Sequence, residues 1–119
     1  MTESEILRIE RELYVKLPQE YIKVMREYSD LHIQPYESCT LSDDIGLIIG
    51  MNKGFRNGEF GGADWPLNHF TFGHDGAGNH YFLDLNLAQS PVYIKDHETH
   101  EIGIEAPDFN TWISQLQNQ

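Results

Sequence analysis

In the first thirty positions apolar residues recur at helical spacing. Ile6, Ile9 and Leu13 share one stripe at i, i+3 and i+7, with Glu3, Glu5, Arg8, Arg11 and Glu12 around it, so a helix is predicted near residues 3–14. Leu17-Pro18 breaks the pattern, and a proline there suits the first turn of a second helix near 18–29. Its inward face would be Tyr21, Ile22, Met25 and Tyr28, an aromatic and methionine stripe that reads as core. After Pro35 the period shortens. GLIIGM (46–51) reads as a buried strand, with Ser38–Leu41 as a short strand before it. HFTFGH (69–74), NHYFLDL (79–85), PVYIKD (91–96) and EIGIEA (101–106) read as strands separated by turn residues. DFNTWISQLQ returns to helical spacing, with Phe109, Trp112, Ile113 and Leu116 on one stripe and Asp108 as N-cap.

Between these elements, NKGFRNGEFGGADWP (52–66) carries four glycines and no periodicity. A loop of that length in a compact domain is often functional; the other reading is a surface lid pinned by Phe60 and Trp65. Strands joined by short turns pair antiparallel, and no strand–helix alternation builds a parallel sheet. The predicted class is α+β: two N-terminal helices, a mainly antiparallel twisted sheet of five or six strands, and one C-terminal helix. A chain of 119 residues is the size of one domain, able to bury about 65% of its unfolded surface.

Charge changes the picture. Residues 1–56 hold seven basic and ten acidic groups, whereas residues 57–119 hold nine acidic groups against one basic, Lys95. The formal net charge is −11. Such a surface repels nucleic acid and anionic membrane and favours a basic partner, although solubility alone would also account for it. No apolar run approaches the ~20 residues needed to cross a bilayer. The acidic, amphipathic start is unlike a secretory signal, and the lone Cys39 forms no internal disulfide, so the chain is expected in the cytoplasm.

Three chemistries are suggested by FGHDGAGNHYFLDL (72–85), and each fails on its own spacing. A phosphate loop needs Lys and Ser/Thr after its last glycine, where Asn79 and His80 stand. A dinucleotide fingerprint starting at Gly76 would place its third glycine at Tyr81. A calcium loop starting at Asp75 finds Ala77, His80 and Asn86 at positions that require other residues. What fits is a hairpin turn at Asp75-Gly76-Ala77-Gly78, with Phe70 and Phe72 facing Tyr81 and Leu83 across the strands. His74 and His80, flanking that turn, are expected to be exposed. His97-Glu98-Thr99-His100-Glu101 is one residue short of a zinc helix signature and lies between two strands. Cys39 reads as a buried small residue, and neither a nucleophile elbow nor a Ser-His-Asp ordering is present. No catalytic residue, metal ligand or cofactor is expected.

Several segments together resemble the SUKH superfamily, the group named for a yeast cell-wall-synthesis regulator and its bacterial relatives. They are Glu12-Leu13 through Leu17-Pro18-Gln19-Glu20-Tyr21, then Phe72-Gly73-His74-Asp75-Gly76-Ala77-Gly78-Asn79, Pro91-Val92-Tyr93, and Asp108-Phe109-Asn110-Thr111-Trp112-Ile113. Their order is kept over nearly the whole chain. Two positions depart from the common pattern. Tyr28-Ser29-Asp30-Leu31 stands where many members carry Asn-Gly-Gly, and Asn79 stands where many carry an acidic residue. The resemblance implies a one-domain α+β fold and, as for most bacterial members, an immunity protein that neutralises a toxin, frequently a nuclease. A regulatory or scaffold module is the alternative, followed by a small-ligand or metal-binding domain using the 52–66 loop and the histidines.

Acidic surface and loop aromatics together nominate Asp64, Asp75, Asp96, Glu98, Glu101, Phe55 and Phe60 as partner-binding residues. The expected partner is a basic protein toxin, with no direct nucleic-acid or membrane contact, and the chain itself is expected as a monomer or weak dimer.

Overall fold

A computed structural model describes residues 1–33, 40–61 and 65–118. Helix α1 (Glu3–Leu13) starts in a capping box, where the Thr2 hydroxyl accepts the Glu5 amide and the Glu5 carboxylate accepts the Thr2 amide. It ends where Tyr14 takes a left-handed conformation at φ 57°. The predicted stripe is its buried face: Ile6, Ile9 and Leu13 all enter the core. Helix α2 (Gln19–Arg26) starts after Pro18 and buries Tyr21 and Met25, with Ile22 half-buried. A 3-10 turn, Tyr28–Leu31, takes up the end of the predicted second helix.

The expected strand at 46–51 is instead the heart of a third helix, α3 (Ile45–Arg56). Asp44 caps it by accepting the Leu47 amide, and Ile45, Ile48, Ile49, Asn52 and Phe55 form its buried stripe. The first residues of the expected 52–66 loop therefore finish this helix. Of the proposed strand at Ser38–Leu41, Ser38 and Cys39 lie outside the described residues, while Thr40 and Leu41 form a turn and a bend and pair with no strand.

Four strands, rather than five or six, make the sheet among the described residues: β1 (His69–His74), β2 (His80–Asp84), β3 (Val92–Lys95) and β4 (Ile102–Ala106). They form an antiparallel meander in the order β1-β2-β3-β4. Phe70 pairs with Leu83, and after a bulge at Phe72 the Phe72 and Tyr81 rings stack at 6.5 Å, as the turn reading required. Helix α4 (Phe109–Gln117) closes the fold, capped by Asp108, with Phe109, Trp112, Ile113 and Leu116 buried.

The two faces of the sheet differ. Phe70, Phe72 and Leu83 join the main core with α1, α2, α3 and α4. Phe82, on the opposite face, packs with Phe55, Trp65 and Tyr93. Helix α3 serves both faces because it runs along the β1 edge. Asn52 is 0% exposed. Its amide nitrogen donates to the Thr71 carbonyl (2.9 Å) and to the Ile48 carbonyl, while its amide oxygen accepts the Thr71 N–H (2.9 Å). One side chain thus acts as a partner strand for the edge of the sheet.

Candidate functional site

At one end of the sheet the β1–β2 and β3–β4 turns lie side by side. Gly76 and Gly78 take φ of 85° and 100°, the left-handed values that a turn of this kind requires of glycine. Asp75 organises the first turn. Its carboxylate accepts the amides of Ala77 (2.9 Å) and Asn79 (3.1 Å) and the Asn79 side-chain nitrogen (2.8 Å). Partial burial pushes the Asp75 pKa up, but these bonds outweigh it and hold the carboxyl below its ordinary range.

Asn79 links the turns. Its side-chain oxygen accepts both the His97 backbone N–H (2.9 Å) and His97 Nδ1–H (2.8 Å), while its nitrogen donates to Asp75. A carboxylate here could not donate to Asp75, which gives the asparagine at this position a physical reason. In the second turn, Asp96 accepts the amides of Glu98 (2.8 Å) and Thr99 (2.9 Å), and these bonds hold its carboxyl below the ordinary range. Glu98 and Glu101 extend into solvent from the same turn. Asp75, Asp96, Glu98 and Glu101 are therefore gathered at one end of the molecule by two tied turns. Asp64 lies outside the described residues.

Beside these turns is a cleft of about 310 Å³, lined by Phe55, Phe60, His80, Lys95, His97 and His100. Gly54 makes room for Phe60, since a Cβ there would lie 2.6 Å from the Phe60 ring. Gly78 makes room for His97, where a Cβ would come within 3.2 Å of His97. Phe55 is not displayed on a loop as expected. It is buried, stacked on Trp65 at 4.2 Å and edge-on to His80 at 4.8 Å. Phe60 is 46% exposed and packs against Phe55 at 4.7 Å. His80 is buried rather than exposed, and that burial lowers its pKa; its Nδ1 lies 3.1 Å from the Gly78 carbonyl, which can accept from it. Burial lowers the His69 pKa as well, on the same sheet face.

Lys95 is the residue that sequence reasoning missed. Only 6% exposed, it places Nζ 5.3 Å from the Trp65 ring centre and 5.7 Å from that of Phe55. The available signal was its isolation as the one basic residue of the second half. Among the described residues no three His, Cys, Asp or Glu side chains form a group suited to a metal, and no helix is long and apolar enough to cross a membrane.

The profile of the SMI1 / KNR4 family (SUKH-1) matches residues 1–115. The chain belongs to the SUKH-1 family. No curated protein and no solved structure matches it. Within this SUKH-1 chain the Asp75–Asn79 segment is the turn between β1 and β2, tied through Asn79 to the β3–β4 turn at His97.

Proposed function

We propose that this SUKH-1 protein is a cytoplasmic immunity protein that binds a basic protein toxin, of the nuclease class, and performs no catalysis itself. The observation that carries the reading is the gathering of Asp75, Asp96, Glu98 and Glu101 on two turns fixed to each other through Asn79. Rigid turns present charge without the entropy cost of ordering it on binding. A negative end on an acidic chain also steers a basic partner toward it, raising the association rate toward 10⁸–10⁹ M⁻¹s⁻¹ at low salt. Membership of the SUKH-1 family supports the same function, since that family is associated with immunity proteins.

The first test is genomic and then genetic. A toxin domain should be encoded beside this chain, and co-expression of the chain should restore growth to cells making that toxin. A metabolic operon, or toxicity the chain does not relieve, overturns the reading and favours a regulatory module. The second test is kinetic. Glu98→Lys/Glu101→Lys leaves both turn-holding aspartates intact and should slow toxin association by about 10-fold at 0.01 M salt, with the effect shrinking at 0.15 M as the screening length falls from ~30 Å to ~8 Å. Glu27→Lys/Asp30→Lys changes net charge equally, on exposed positions at the end of α2 and in the following turn. Equal slowing by both pairs would mean the toxin senses only net charge, and the acidic-end interface would be lost.

A further inference from the structure

We propose that the free edge of β4 takes an extended segment of the basic partner as a fifth strand, and that it selects an arginine or lysine between two apolar residues. Every residue from Glu101 to Glu105 is exposed, with Ile102 51% and Ile104 68% open to solvent. The Asp96 N–H donates to the Glu101 carbonyl (2.9 Å), and bonded positions alternate along an antiparallel ladder. Gly103 therefore turns its N–H and C=O toward Ile94, whereas Ile102 and Ile104 turn theirs away from β3. No described residue outside β3 bonds to those outward groups. A bulge at Glu105 and then Pro107 guard only the far end of the strand. The unguarded stretch offers main-chain hydrogen bonds to an added strand.

The two faces of this edge specify the segment. Ile102 and Ile104 pair with Lys95 and Tyr93, so they share one face and favour apolar side chains beside them. On the other face Gly103 carries no side chain, and a Cβ there would lie 3.7 Å from Ile94. The depression at that point, about 240 Å³, is lined by Ile94, Gly103, Asn79, Asp96, Glu101 and Ile102. Ile94 suits the stem of an arginine or lysine, and the Asp96 and Glu101 carboxylates suit its cationic head. Charge also disfavours a second copy of this chain as the added strand. A two-fold pairing centred on Gly103 sets Glu101 of each copy against Glu105 of the other, between chains of net charge −11. The identity of the partner rests on the toxin-binding reading; the edge itself does not.

The probe is the peptide acetyl-Lys-Thr-Val-Arg-Val-Thr-Lys-amide, titrated into the full chain and followed through backbone amide resonances. It should shift Ile94, Ile102, Gly103 and Ile104 saturably, and move the Ile102 and Ile104 amide protons downfield as they gain hydrogen bonds. Proline at both valines keeps the peptide's charge but removes two donors. Glutamate in place of the arginine keeps the backbone but reverses the head. Each change should weaken binding about 10-fold or more. Gly103 lies outside the left-handed region, so Gly103→Val fills the depression without strain. That variant should weaken the arginine peptide by a similar factor with no loss of urea midpoint. No saturation below ~10 mM, equal binding of the proline peptide, or undiminished binding to Gly103→Val would each overturn the proposal. A dimer in sedimentation that the peptide dissociates would give the edge to a second copy and overturn it as well. The three peptides need neither the toxin nor a variant. A chain that binds the arginine peptide selectively yet fails to protect cells loses only the immunity reading, and one that protects without binding it loses only the edge.

Discussion

On the helix-covered face of the sheet, Tyr21, Phe70, Phe72, Phe109 and Trp112 meet mainly edge to face or tilted, at centroid distances of 5.1 to 6.3 Å. On the other face, Phe55, Trp65 and Phe82 share their space with Lys95, His69 and His80. The first cluster is closed by four helices, and among the described residues its one unbonded buried polar group is the Tyr21 hydroxyl. The second is roofed only in part and borders an open cleft. The contrast shows where the chain spends its packing on stability and where it tolerates charge and titratable groups. A cluster that accepts a buried lysine and two imidazoles is poorly suited to holding a fold together. It suits a site.

Truncating one large ring in each cluster gives the widest separation. Trp112→Ala should cost about 3–5 kcal/mol in urea denaturation, the usual range for a large core aromatic. Phe55→Ala should cost about 2–3 kcal/mol, because its ring already borders open space and the site can relax or hydrate. Equal losses would mean that the two clusters are equally structural.

Asn52 joins the two faces, and its loss is the next largest effect. Asn52→Ala leaves the Thr71 N–H and C=O without their partner at a buried edge, at about 1–3 kcal/mol for each group left unsatisfied. Hydrogen exchange at the Thr71 amide should accelerate in this variant. If exchange there is unchanged, another group seals the edge.

The smallest effect is a dependence on pH, and it should arise mainly from the second face. Burial holds the His69 and His80 pKa values below the ordinary one; Lys95 pushes His69 further down and Asp84 pulls it up. The unfolded chain therefore takes up protons first as pH falls below about 6.5. Stability present above that value is lost as pH falls through the folded values, since protons then favour the unfolded state. A His69→Gln/His80→Gln chain should show a flatter stability profile between pH 7 and pH 5, measured by urea titration. An unaltered slope would assign the dependence to other groups.

The main cluster was legible in the sequence and the second was not, and the reason is local. The stripes of α1 and α4 repeat at clean helical spacing between charged positions, with Asp108 marking one start and Leu17-Pro18 one break. The α3 segment breaks those cues. Gly46, Gly50 and Gly54 lower its helix propensity, adjacent Ile48 and Ile49 favour a strand, and a polar Asn52 interrupts the apolar stripe. Each irregular residue has a tertiary explanation except for Gly46 and Gly50, for which the structure supplies none. Gly54 admits Phe60, and Asn52 completes the β1 edge. Misreading α3 hid the cleft, because Phe55 is positioned by that helix. The hairpin turn was legible through its glycines, whereas the tie from Asn79 to His97 spans 18 residues and leaves no local pattern.

The strand order β1-β2-β3-β4 bears on how the chain comes off the ribosome. Every strand pairs with its neighbour in sequence, so the sheet can close hairpin by hairpin as it emerges. Helices α1 and α2 find their partners later in the chain: α1 packs on α3 (Ile45–Arg56), and Tyr21 of α2 meets Phe70 on β1. At about 5–20 residues per second, α3 is complete roughly 2–9 s after α1 has been made. During this interval an amphipathic nascent segment waits with its apolar stripe uncovered, a natural client for a holding chaperone, until α3 and then the first hairpin give it a place to dock.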